Sequence, residues 1–187
     1  MKRFKICVDT NIWMDYIEKR TEAEKSNQLL QSLTDIRTPH TIILPKIAYL
    51  EIMYKLIDSR KEGYLITQKR YSTLDFRGVE GKKRKFETEL PQKEMKKVES
   101  ILKDLEISDK IKILSTPIDF SKVEYLIKQG FELLDSTILV QANEEADYFA
   151  TRDTIARKVN NAKASWIKIK AITIKGMLSL IERSDKK

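Results

Sequence analysis

Asp135-Ser-Thr-Ile-Leu-Val-Gln-Ala-Asn-Glu-Glu-Ala-Asp-Tyr-Phe-Ala-Thr-Arg-Asp153 decides how this chain is read. Its first part, from Leu134 to about Glu145, is apolar on most sides, which marks a helix buried in a core. Its second part, Tyr148-Phe149-Ala150, is a short apolar run of strand type that leads directly into Thr-Arg-Asp. A buried helix feeding a buried strand that ends on a carboxylate points to an α/β sheet with polar chemistry at its strand ends.

The same pattern extends outward in both directions. Phe4 to Val8 is an apolar run ending at Asp9-Thr10-Asn11, a strand followed by a helix-start signal. Ile12, Trp13, Tyr16 and Ile17 then show helical spacing, and Leu29, Leu30 and Leu33 extend a second amphipathic stretch to about Asp35. Thr41 to Leu44 is β-branched and apolar and reads as a buried strand stopped by Pro45. Lys46 to Ile57 reads as a buried helix interrupted by Glu51 and Lys55. Met95, Val98, Ile101, Leu102 and Leu105 mark another helix, and Ile111 to Leu114 a strand. Pro117 precedes a helix carrying Phe120, Val123, Leu126 and Ile127 that Gly130 closes. Trp166 to Ile172 reads as the last strand, with Met177, Leu178 and Ile181 on a closing helix. Strands alternating with helices predict an α/β three-layer sandwich around a mostly parallel central sheet, one domain over residues 1–187.

Residues 59 to about 93 break the alternation. Gly63, Gly78, Gly81 and Pro91 punctuate them, basic residues are dense, and Tyr64, Tyr71, Phe76 and Phe86 are interspersed. The segment reads as a basic helical and flexible insert with Lys82-Lys83-Arg84-Lys85 exposed at its centre.

Charge is unevenly spread. The formal net charge is +8, yet residues 98–151 carry 5 basic and 11 acidic groups, whereas residues 60–97 carry 12 and 6 and residues 152–187 carry 10 and 3. A basic surface around a local acidic block suits a protein that attracts a polyanion and holds cations where it acts on it; solvated Lys/Glu helices give the same composition. No apolar run is long enough to span a bilayer. The basic N-terminus has no adequate apolar stretch behind it, so a signal peptide is not expected and a cytoplasmic protein is. Cys7 is the only cysteine and His40 the only histidine, which excludes a disulfide and a zinc site and leaves Cys7 as core filler.

Four acids stand out because each ends or opens an element: Asp9, Glu51 in Tyr49-Leu-Glu-Ile-Met53, Asp135 and Asp153. Carboxylates set against apolar runs are costly unless compensated, and a hard divalent cation compensates them. In an open parallel sheet, ligands bind beyond the carboxyl ends of the strands, which brings Asp9 and Asp153 to one edge. Each acid also has a plainer reading. Asp9 and Asp135 fit helix caps, as does Ser136; Glu51 precedes Lys55 by four residues in the salt-bridge orientation; Asp153 fits a loop. Thr10, Asn11 and Thr151 are candidate donors for orienting the carboxylates. Arg152 fits either a phosphate contact or a partner for a neighbouring acid. Asp15 is expected to face solvent, and Asp147 to play a structural part at the opposite end of its strand. Neither an Asp-x-Asp-x-Thr motif nor a phosphate-binding Gly-x-x-x-x-Gly-Lys loop is present.

Asp9-Thr10-Asn11, Glu51, Asp135 and Thr151-Arg152-Asp153, in this order and over nearly the whole chain, resemble the PIN-domain ribonucleases. Ile167-Lys-Ile and Ala171-Ile-Thr-Ile-Lys-Gly-Met-Leu look like that family's final strand and helix. Two departures are visible: Leu134 stands where many members have a His, and the insert is longer than in compact toxin members. The resemblance implies that Asp9, Glu51, Asp135 and Asp153 hold one or two Mg2+ or Mn2+ ions for hydrolysis of single-stranded RNA. It also implies that Arg152, Lys82, Lys83, Arg84 and Lys85 contact the RNA, and that the protein is a homodimeric toxin restrained by a small antitoxin. The alternatives are a nuclease that matures ribosomal RNA and a PIN-like scaffold that binds RNA or protein without cutting.

Overall fold

A computed structural model describes residues 3–18, 23–56, 92–93, 96, 98–104, 106, 108–162 and 164–185, the side chains of 153, 154 and 185 excepted. Most of the basic insert, including Lys82, Lys83, Arg84 and Lys85, therefore lies outside the described residues.

Five short strands carry the fold: β1 (Lys5–Val8), β2 (Thr41–Pro45), β3 (Ile111–Leu114), β4 (Tyr148–Thr151) and β5 (Lys170–Thr173). They lie in the order β3-β2-β1-β4-β5, and every neighbouring pair is parallel. The expectation of a mostly parallel sheet is thus met by a wholly parallel one. The helices are α1 (Thr10–Glu18), α2 (Glu24–Thr34), α3 (46–56), α4 (98–104), α5 (Phe120–Lys128), α6 (Leu133–Ala142), α7 (Asp153–Asn161) and α8 (Ile174–Asp185). α1 packs on α2 and α2 on α8, while α5 packs on α6 and α6 on β2. The result is the three-layer α/β sandwich.

Strand composition follows from position. β2 is buried throughout, and Ile6, Cys7 and Val8 of β1 are all inaccessible, because both faces of the sheet are covered. Such strands need continuous apolar runs rather than alternation. The edge strands differ: β3 exposes Lys112 and β5 exposes Lys170. Fully burying an Ile or Leu side chain stabilises by about 1.5–3 kcal/mol, so Ile42, Ile43, Leu44, Leu29, Leu30 and Leu33 anchor the sheet to its helices.

The turn between α5 and α6 sets where Asp135 arrives. Asp119 caps α5, its Oδ1 accepting from the N–H groups of Ser121 at 3.1 Å and Lys122 at 3.3 Å. At the other end Gly130 takes φ +84°, a conformation open to glycine at no steric cost. Its N–H donates to Ile127 O, and the N–H of buried Phe131 reaches back to Leu126 O. The helix is thereby closed and the chain turned into α6.

The last strand is shorter than its apolar run suggests. Trp166 to Ile169 are not in the sheet, because the Asn143 side chain has taken their backbone groups. Asn143 Oδ1 accepts from Lys168 N and Ile169 N, and Asn143 Nδ2 donates to Trp166 O. Strand pairing starts only at Lys170, opposite Tyr148.

Candidate functional site

β1 and β4 are neighbours in the sheet, and the chain departs from them to opposite sides: β2 and β3 lie beyond β1, β5 beyond β4. The crevice at such a switch point, past the carboxyl ends of the strands, is where open α/β sheets place ligands. Asp9 is the first residue after β1. Its N–H donates to Ala150 O at 2.9 Å, so the β1–β4 ladder continues one residue and fixes the Asp9 backbone.

The Asp9 side chain is buried and doubly held. Oδ1 accepts the N–H of Asn11 at 2.9 Å, and Oδ2 accepts the hydroxyl of Thr151, at the end of β4, at 2.5 Å. The helix-capping reading of Asp9 is therefore correct as far as it goes. It does not account for the carboxylate's second oxygen, which points across to the neighbouring strand's end.

Glu51 reaches the pocket from α3. Its side chain is only 8% exposed; Oε1 pairs with Lys55 Nζ at 2.7 Å, while Oε2 is buried and has no hydrogen-bond partner among the described residues. The i,i+4 salt bridge exists, but it is a buried one, and half of the carboxylate is left without a donor. Lys55 extends further than helix spacing alone indicates, reaching Asn11 Oδ1 at 3.1 Å and Thr10 Oγ1 at 3.4 Å.

Asp135 sits in the first turn of α6 and is not its cap. That position belongs to Glu132, whose side chain makes no capping bond. Ser136 does not cap either, since its hydroxyl donates to Glu132 O at 2.8 Å. The Asp135 carboxyl is pushed up to about 6, by burial first and then by the charges of Asp9, Glu132 and Glu51, with Lys55 opposing. Three acids widely separated in sequence therefore feel one another.

Asp153 opens α7 immediately beyond β4, on the same edge; its side chain lies outside the described residues. Among the described residues no three acid, His or Cys side chains close into a ready-made metal cluster.

Asp15 corrects the sequence reading. It was expected to face solvent, but it is buried at 2% side-chain exposure and paired with the Arg152 guanidinium. Helical spacing places it on the same side as the buried Ile12, and the ion pair makes that burial tolerable. Arg152 accordingly binds a neighbouring acid, one of the two parts the sequence left open to it. Asp147 is at the far end of β4, where Oδ2 accepts the Lys5 N–H at 2.8 Å. Cys7 is buried beneath the site, and burial together with the Asp9 charge raises its thiol well above the ordinary range, so it is no nucleophile. The involvement of Lys55 with Asn11 and Thr10 had no signal in the sequence beyond its spacing from Glu51.

The raised Asp135 has a measurable consequence for the metal-free protein. An acid whose folded-state value lies above its unfolded one favours the fold below about 3.8 and loses that contribution as pH rises toward 6. In EDTA at pH 7, Asp135→Asn is therefore expected to raise stability by on the order of 1 kcal/mol once solvent screening is allowed for. The gain should fade below about pH 4. Thermal melts across pH check this; a variant less stable than wild type at pH 7 contradicts it.

Fold and site define an α/β protein with acids gathered within electrostatic reach of one another at the switch point of a parallel sheet. Residues 6–162 match the family model for the PIN domain. The chain belongs to the PIN-domain family, whose members are typically nucleases. Comparison with curated proteins found none that matches.

Proposed function

We propose that this protein is a divalent-metal-dependent endoribonuclease acting on single-stranded RNA. The observation that carries the reading is Glu51 Oε2, a buried carboxylate oxygen without a donor among the described residues, beside acids that already raise Asp135. A donor set of Asp and Glu oxygens without His or Cys suits a hard ion, Mg2+ or Mn2+, rather than zinc. The residues present thus fit such an ion.

Asp9, Glu51 and Asp135, with Asp153 from the start of α7, would hold one or two ions. When bound, such an ion supplies a water of lowered pKa and offsets charge on the scissile phosphate and its leaving oxygen. The protein's own part is positioning. Thr151 and the Asn11 N–H hold Asp9 in one orientation, as outer donors do for ligating carboxylates. The Glu51 side chain is kept almost wholly out of bulk water, at 8% exposure. Asp135 has to be deprotonated to ligate, so a proton competes with the ion there and metal binding to the free protein is expected to weaken as pH falls through about 6. Exposed Lys175, at the start of α8 beyond the carboxyl end of β5, adds positive charge on the same edge for the RNA backbone.

From its resemblance to toxin members, we assign the protein as the cytoplasmic, homodimeric nuclease half of a toxin–antitoxin pair. The exposed apolar residues Leu50 and Tyr54 on α3, Phe120 and Ile127 on α5, and Leu133 and Leu134 on α6 support a protein-binding surface. No helix among the described residues is long and apolar enough to cross a membrane.

The test is cleavage of labelled single-stranded RNA with Mg2+ or Mn2+, against EDTA, with duplex RNA and single-stranded DNA alongside. Metal-dependent cutting confined to single-stranded RNA is the expected result. Folded protein that binds RNA but cuts nothing in either metal refutes the enzyme and leaves the scaffold. Growth arrest on expression in bacteria tests the toxin assignment, and an active nuclease that leaves growth unaffected refutes it in favour of RNA processing.

A further inference from the structure

The Lys55 ammonium lies inside the acidic pocket, yet the chemistry above gives it nothing to do. Its Nζ stands 2.7 Å from Glu51 Oε1, 3.1 Å from Asn11 Oδ1 and 3.4 Å from Thr10 Oγ1. An ammonium has three N–H donors and no acceptor, so these three oxygens account for its full donor set. They come from two separate segments, α3 and the start of α1, which the ammonium joins at the mouth of the site. It is also the positive charge that offsets the acids around Asp135.

We propose that Lys55 is a built-in competitor for the cation: its ammonium holds the oxygens of Glu51 and its neighbours while no divalent ion is bound, and it swings out when one binds. This rests on the metal-dependent reading of the same site. Three features favour exchange over a permanent bridge. The Lys55 side chain is 34% exposed, so its flexible stem has a way to solvent, while its partner Glu51 at 8% has none. An ammonium is strongly hydrated and recovers that hydration on leaving. A divalent ion also interacts with the same carboxylates about twice as strongly as a single charge at equal distance. Glu51 Oε2, which Lys55 does not reach, is the atom at which an incoming ion would first find an acceptor without a donor.

Competition of this kind lowers apparent affinity by the fraction of molecules in which the ammonium has already left. The enzyme would then load only above a threshold of divalent ion, and the acids would be neutralised rather than mutually repelling when the ion is scarce. A purely structural Lys55–Glu51 bridge also neutralises the acids but predicts no such threshold.

Calorimetric titration with Mn2+ distinguishes the two. Wild type is compared with Lys55→Met, Lys55→Gln and Lys46→Met. Lys46 is the exposed first residue of the same helix, so its removal lowers the net charge equally without touching the pocket. Lys55→Gln keeps donors for Glu51 and Asn11 should Lys55→Met fold poorly. The expected result is Mn2+ binding at least about tenfold tighter in both Lys55 variants, the factor set by a competent population of about one in ten. Lys46→Met should stay within about twofold of wild type, as expected for an exposed, screened charge. Melting should agree: the Lys55 variants lie below wild type in EDTA and gain more from Mn2+.

Unchanged or weaker binding in the Lys55 variants overturns the proposal and makes the ammonium a fixed part of the site. Equal tightening in Lys46→Met overturns it in favour of general charge repulsion. If neither wild type nor any variant binds Mn2+, the metal-dependent reading itself fails and the competition with it. Those failures are distinguishable, because the first two occur in a protein that binds the ion.

Discussion

Replacing Asp9 with Asn is expected to lower metal-dependent RNA cleavage by at least about 10³-fold, the worth of several kcal/mol of cation-mediated stabilisation. The fold should survive. Asn has the same shape, its carbonyl can keep the Asn11 N–H, and its amide can donate to a Thr151 hydroxyl turned round as acceptor. What disappears is a charge at the point where β1 and β4 end side by side. A second readout separates this cause from general damage. After burial, the Asp9 charge is the largest influence that raises Asp135. In the Asp9→Asn protein the Asp135 carboxyl should therefore titrate closer to the ordinary carboxylate range, visible by carbon-detected NMR in EDTA. A folded variant that cleaves within about tenfold of wild type, a loss of only about 1.4 kcal/mol, would remove Asp9 from the catalytic set.

The second large effect concerns stability. Arg152→Ala takes an ion-pair partner from Asp15, a carboxylate buried in α1. Breaking a fully buried pair costs about 3–5 kcal/mol, because a charge stays behind in a medium that solvates it badly. Here the guanidinium is 55% exposed and the carboxylate 2%, so the pair is buried on one side only. A loss of about 2–3 kcal/mol is expected, seen as a fall in Tm of about 5–10 °C for a chain of this size. The measurement also separates the two parts the sequence offered Arg152. A phosphate contact predicts weaker RNA binding with little change in Tm, whereas the ion pair predicts the reverse. An unchanged Tm would show that the Asp15 pairing contributes nothing measurable.

Much of the fold could be read because its central strands leave little choice. Phe4–Val8, Thr41–Leu44 and Tyr148–Ala150 are unbroken apolar runs, and a parallel sheet covered on both faces is the place for several of them. The edge of the sheet that would carry polar chemistry followed from Asp9 and Asp153 each lying just past such a run. What could not be read depended on side chains replacing backbone partners, or on pairings across great sequence distance. Asn143 takes over the hydrogen bonds of Lys168 and Ile169, and no local pattern tells a strand residue from one bonded to an asparagine. Asp15 looks like a solvent-facing helix residue until Arg152, 137 positions later, is placed beside it. Lys55 announces its bond to Glu51 by spacing and conceals its bonds to Asn11 and Thr10. Asp135 was legible as a helix start and as one of four acids set against apolar runs, but its own spacing could not show that Asp9 and Glu51, which arrive from other elements, lie within reach of it.

The hydroxyl of Thr151 and the carboxylate of Asp9 that it holds are 142 residues apart in the chain. β1 is made first and lies at the centre of the sheet, yet its partner on one side is the fourth strand of five. Contacts this remote close late and slowly, and during synthesis β1 waits for β4 to follow it. A growing chain therefore carries the carboxylate of Asp9 without the strand that orients it and without Asp135. Until β4 has been made these carboxylates are not assembled, so under the proposed activity a chain still short of β4 could not cut the RNA of the machinery that translates it.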